Sequence, residues 1–127
     1  MLGKLFGRKK NSAPGKSFKL APDEIRQLVP PMGACIATDK ITVEGEPVGW
    51  MYREPPGFQG DSGWRFFSGT ETEAYLDNVQ NSGMYEVNTI ANYDPDIVEF
   101  LTAPTNSAFA RDSVGSPLRP ADPPVAN

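Results

Sequence analysis

Apolar and polar residues alternate most clearly over Trp64-Arg65-Phe66-Phe67-Ser68, which puts Trp64, Phe66 and Ser68 on one face of a strand and Arg65 and Phe67 on the other. Aromatics suit a pleated, half-buried surface, and Gly63 and Gly69 punctuate the two ends. An aromatic on each face predicts a central strand covered on both sides, with Arg65 paired to a carboxylate. Thr70-Glu71-Thr72-Glu73 follows as a capping box, Thr70 and Glu73 exchanging hydrogen bonds at the start of a helix over Glu71–Asp77.

The remaining runs are shorter. Pro22 to Val29 is predicted as a helix, with Pro22 in its first turn, Asp23 and Glu24 complementing the dipole, and Pro30-Pro31 ending it. Ala34–Thr38 is small and apolar and predicts a strand in which Cys35 is a buried filler. A turn at Asp39-Lys40 leads to Ile41-Thr42-Val43, and Glu44–Pro47 is a turn before the partner strand Val48–Arg53. Glu54–Gly60 is too rich in Pro and Gly to be regular, and Phe58 at its tip either anchors a partner or folds back on the core. Met84–Ile90 is predicted as one strand. Asp94 caps a helix with Pro95 at its first position and Ile97, Val98, Phe100 and Leu101 as the apolar stripe. Ser107–Arg111 is a last short strand.

Composition narrows the chemistry. The chain has 127 residues, enough for one domain with a modest core, and no apolar run approaches the roughly 20 residues of a membrane span. There is no histidine and a single cysteine, Cys35. Zinc sites of the usual Cys/His kinds, histidine general bases and nucleophile–histidine pairs are thereby excluded, and no disulfide framework exists within the chain. No metal and no cofactor is expected, and lone-cysteine usage fits a reducing cytoplasm. Charge is split unevenly. Residues 1–22 carry six basic side chains and no acid, whereas the rest holds the other six against all 16 acids, a balance of −10. Such a body repels phosphates, so no nucleic-acid partner is expected, and it attracts a basic protein. Residues 1–10 are expected to make at most a weak contact with an anionic membrane surface.

Four runs carry a resemblance to a known family: Gly33–Asp39, Val48–Glu54, Asp61-Ser62-Gly63-Trp64-Arg65-Phe66-Phe67-Ser68-Gly69 and Asn88-Thr89-Ile90-Ala91-Asn92-Tyr93-Asp94-Pro95-Asp96. Over residues 30–111 the chain resembles the immunity protein thirty-three family, formerly catalogued as a domain of unknown function. The resemblance implies a small bacterial α+β domain, some relatives being antidotes that bind a cognate toxin. The expected fold is therefore a small single α+β domain over 22–112, a mostly antiparallel sheet with two or three short helices. A basic flexible leader, 1–21, precedes it and a Pro-rich flexible tail, 113–127, follows.

The leading functional expectation is a non-catalytic binding protein that neutralises a cognate, basic protein toxin in a polymorphic toxin system. Its partner-binding candidates are Phe58 and Trp50 as anchors, with Glu54 and Asp61 as flanking acids; Trp50 has a competing reading as core. The alternatives are a small enzyme or a ligand- or cation-binding domain using Asp61, Asp94 and Asp96, and a housekeeping regulatory domain.

Overall fold

The computed structural model describes residues 15–124. Its organising element is the strand foreseen from the aromatic alternation, β3 (Asp61–Phe67), of which only Phe67 is not buried. The strands β1 (Ala34–Thr38), β2 (Trp50–Arg53), β4 (Ser82–Glu86), β5 (Ala108–Ala110) and β6 (Arg119–Ala121) complete one sheet in the order β4-β1-β3-β2-β5-β6. Only the β1–β3 pair is parallel. With the helices α1 (Asp39–Thr42), α2 (Glu73–Asp77) and α3 (Val87–Tyr93) this makes a small α+β domain with a mostly antiparallel sheet.

Residues opposite one another in a ladder share a face, and that rule separates the two sides of the sheet. Phe66 lies opposite Met51 and beside Ala37, and these join Trp64 in the core with Ile41 of α1, Val87, Ile90 and Ala91 of α3, and Ile97 and Leu101 beyond it. The Trp64 and Phe66 rings stack with centroids 6.0 Å apart, and the Trp64 indole N–H donates to the Leu101 carbonyl at 3.1 Å. The other face differs from expectation. Ile36, Trp50, Tyr52 and Phe67 share it with Arg65, and no helix of the core cluster covers it, so its aromatics are half-buried. The alternation that reports an aromatic on each face carries no information about whether a second layer exists.

Several local elements also differ. Val87–Tyr93 is helix, not a continuation of β4, because Glu86 leaves the strand extended and Val87, Ile90 and Ala91 then bury at helical spacing. Asn88 and Asn92, four residues apart on α3, serve the backbone of the segment before β1. Asn88 Oδ1 accepts from Leu28 N and Val29 N, Asn92 Oδ1 accepts from Arg26 N, and both amides donate to the Arg26 carbonyl. That segment is accordingly extended, and the helix expected over Pro22–Val29 shrinks to the 3-10 turn Pro22–Glu24. Asp39–Thr42 is a helical turn because Ile41 and Thr42 are drawn into the core. The cap of α2 is Thr72, whose hydroxyl accepts from Tyr75 N at 3.1 Å, whereas Thr70 bonds Ser68 and Glu46. The 3-10 helix Pro95–Phe100 starts as foreseen, Asp94 capping and Pro95 first.

The fold extends past both expected boundaries. Leu118 is buried in the core and β6 pairs with β5, so residues up to Ala121 belong to the domain and not to a free tail. The end of the basic leader is also held: Lys19 N donates to the Thr42 carbonyl at 2.8 Å, Leu20 N to the Tyr93 hydroxyl at 3.1 Å, and Phe18 packs edge-on against Tyr85. The membrane-surface expectation for residues 1–10 lies outside the described residues. A chain cut after Asp112 is expected to lose stability, and Leu118→Ala alone to cost about 2–3 kcal/mol through lost burial and the cavity left behind. Urea unfolding of both variants beside the full chain measures this.

Candidate partner-binding face

Fully extended, residues four apart on a strand are separated by about 13 Å, too far for an aspartate to pair with an arginine standing off the same face. Asp61 and Arg65 nevertheless meet, because the register with β1 slips between Ala34–Asp61 and Ile36–Arg65. Gly63 makes this irregularity available. Its φ of +89° disfavours any side chain, and a Cβ there would lie 2.2 Å from the Glu54 carbonyl oxygen. The shortened strand lets Arg65 Nη2 donate to Asp61 Oδ2 at 2.7 Å and Nη1 to Oδ1 at 3.0 Å, a two-pronged pair. Arg65 Nε donates to Glu54 Oε2 at 2.6 Å.

Asp61 is saturated by these bonds and two more, from Gly57 N to Oδ2 and Gly63 N to Oδ1. Its side chain has no exposed surface. The Arg65 hydrogen bonds, helped by the two backbone N–H groups and opposed by burial, hold its carboxyl far below the usual range. Asp61 therefore cannot flank a partner as a surface acid. It is the post to which the Glu54–Gly60 loop is tied, and Phe58 rides on that loop 38% exposed. Glu54 keeps nearly half of its side chain in solvent while holding Arg65.

Trp50 faces outward on β2, half-buried, and so is neither a core residue nor a free anchor. It begins a row of rings: Trp50 to Tyr52 at 5.8 Å, then Tyr52 to Phe67 at 5.6 Å with planes 15° apart. Burial pushes the Tyr52 phenol upward, Glu54 adds to this and Arg65 opposes it. Tyr52 and Phe67 are not among the candidates found by sequence. The signal for Tyr52 is the Trp50-Met51-Tyr52 alternation, which places Met51 in the core and the two rings outside, and that for Phe67 is its alternation onto the Arg65 face of β3. Beyond Phe67, Glu71 turns back to accept from Ser68 N at 2.8 Å, Gly69 N at 2.9 Å and the Thr38 hydroxyl. Burial of Glu71 favours the neutral acid, but these bonds outweigh it and hold the carboxyl below its ordinary value.

The other carboxylates considered for chemistry are occupied. Asp94 caps the 3-10 helix through Asp96 N, accepts from Val48 N at 2.9 Å and pairs with Arg111 at 2.8 Å. Asp96 is largely exposed and leans on the same arginine at 3.2 Å. Among the described residues no group of three or more acids or thiols is placed to hold a metal ion. Burial raises the Cys35 thiol well above its usual range, which makes it an inert filler.

Arg65→Ala strands a buried carboxylate and is expected to cost about 3–5 kcal/mol in urea unfolding, whereas Glu54→Gln, half in solvent, should cost about 0–1. Both Asp61 and Glu71 have lower values folded than unfolded, so their contribution is complete above about pH 4.5 and is withdrawn as the pH falls toward the folded values. Melting temperatures of the wild type should therefore hold between pH 7 and about 4.5 and fall from there toward pH 3. Asp61→Asn, already lacking that charge, should start lower and fall less.

The family model described as Immunity protein Imm33 domain matches residues 35–119, from β1 to the first residue of β6. No curated protein and no solved structure matches the chain. The matched span takes in β3 with its Asp61–Arg65 pair, the ring row and α3 with its two asparagines, and it exceeds half of the chain, so the chain belongs to the Imm33 immunity protein domain family.

Proposed function

We propose that this protein neutralises a cognate toxin by binding and occluding it, without catalysis, in the cytoplasm of the cell that it protects. Family membership supports the immunity role. The observation that carries the binding reading is the preformed outer face of the sheet, the half-buried rings of Trp50, Tyr52 and Phe67, together with the clamped loop that follows β2 and carries Phe58 exposed. Rigid aromatics partly shielded from water are what interface hot spots are made of, and a clamped loop reduces the entropy lost on docking. A binding mechanism is further supported by the placement of the acids, since Asp61 and Asp94 are each engaged by an arginine.

The net charge of −10 outside the leader steers a basic partner. Steering acts mainly on the association rate and is screened over about 10 Å at 0.1 M salt. With a purified candidate toxin from the same genome, the association rate is expected to fall across a salt series. Phe58→Ala is expected to keep the fold and weaken binding by about 1–2 kcal/mol. Salt-independent association with unchanged affinity of Phe58→Ala would sink this reading, and substrate turnover by the purified protein would replace it with a catalytic one.

A further inference from the structure

Beside the ring row the outer face opens into a pocket of about 410 Å3, walled by Trp50, Tyr52, Phe67, Glu71, Leu76 and Pro124. That size is at the low end of the roughly 300–1,000 Å3 of small-ligand sites and accepts one long side chain with accompanying water. Its chemistry is one-sided. Three aromatic rings line it, Glu71 stands at its wall, and among the described residues no lysine or arginine contributes to it. Glu71 is a fixed anion there, since the N–H groups of Ser68 and Gly69 and the Thr38 hydroxyl all point at its oxygens. Glu73 and Asp77 lie exposed on α2, the helix that supplies Leu76. The nearby cation, Arg65 opposite Tyr52, is already matched by Asp61 and Glu54.

Aromatic faces attract cations through the ring quadrupole, and the attraction grows where the site is partly desolvated. A carboxylate that cannot swing away adds a charge the cation can approach without reordering it. Among cations, guanidinium is flat, weakly hydrated and stacks on rings, whereas ammonium is compact and strongly hydrated. A neutral apolar side chain would fit the rings but gain nothing from Glu71.

We propose that this pocket receives an arginine side chain of the protein partner, stacked on the rings of Trp50, Tyr52 and Phe67 and facing Glu71. The proposal rests on the toxin-binding reading for the identity of the partner, but not for the chemistry of the pocket. It makes the ring row the specificity element of the interface, with Phe58 a separate anchor at the far end of β2.

The test needs no toxin. The full chain is titrated with the peptide acetyl-Gly-Arg-Gly-amide and with its citrulline counterpart, of the same shape but uncharged, while the indole N–H of Trp50 is followed by NMR. The arginine peptide is expected to give saturable shifts at Trp50 and to bind at least about tenfold more tightly than the citrulline peptide. Leu76→Lys introduces a cation at a position already 46% exposed and should abolish the arginine response with the fold intact. Tyr52→Leu, which keeps the Trp50 reporter, should weaken it at least about fivefold. No saturable response, equal binding of the two peptides, or an undiminished response in Leu76→Lys with wild-type melting overturns the proposal. If the arginine peptide binds but no basic toxin does, the pocket stands and the toxin reading falls. If a toxin binds wild type and Leu76→Lys equally, the toxin reading stands and the pocket falls.

Discussion

The buried pair between Arg65 and Asp61 is the contact on which the outer face of this molecule depends. Removing two charges from water is expensive, and the cost is met only when geometry and remaining hydrogen bonds are complete. Here they are: both Asp61 oxygens take two donors each, and the guanidinium also reaches Glu54 and the Trp64 carbonyl. The pair needs the irregularity at Gly63, and that irregularity needs the Glu54 carbonyl close by, with Glu54 N bonded to the Gly63 carbonyl at 3.0 Å. Strand, loop and charge pair therefore specify one another. Weakening any of them loosens the loop that carries Phe58 and the strand that carries Phe67.

What could be read from sequence was the part governed by local rules. The period-two pattern of Trp64–Ser68 identified β3, and Asp94-Pro95 identified a helix start, because strand alternation and helix capping act over a few residues. Arg65 was legible as a paired charge, since an arginine in an aromatic strand has few other solutions. The helix α3 was hidden because Val87, Thr89 and Ile90 are β-branched, and burial against α1 overrode that preference. The tail misled for a compositional reason. Four prolines over 117–124 suggest a free chain, yet Leu118 has a slot in the core and a three-residue strand tolerates Pro120 at the sheet edge. Of the outer face, the sequence singled out Trp50 and Phe58. Tyr52, Phe67, Glu71 and Leu76 converge only through the β2–β3 register and the turn into α2, which are tertiary facts.

Two of the runs that carry the family resemblance are spent on the frame. In Asp61–Phe66, Asp61 ties the loop, the Ser62 hydroxyl accepts from Trp64 N, Gly63 permits the bulge, and Trp64 and Phe66 fill the core. In Asn88–Asp96, the asparagines hold residues 26–29, the Tyr93 hydroxyl holds Leu20, and Asp94 joins the 3-10 helix to Arg111 and Val48. A motif so fully employed inside the molecule identifies the scaffold and says little about what it meets. Leu76, Phe58 and Trp50 stand outside these duties, with Leu76 and Phe58 exposed.

Both outermost strands of the sheet carry a feature that hinders a further strand. On one side β6 is three residues long and its centre is Pro120, which has no N–H to offer a further strand. On the other, the Lys16 ammonium bonds the Ser82 carbonyl at 3.2 Å while bridging to Asp39, and Phe18 packs on Tyr85, so the incoming chain lies against β4. An open six-stranded sheet would otherwise be a template for its own copies. With a proline at one margin and a lysine strap at the other, the margins of the sheet disfavour pairing with a further strand, which leaves its outer face as the broad surface open to contact.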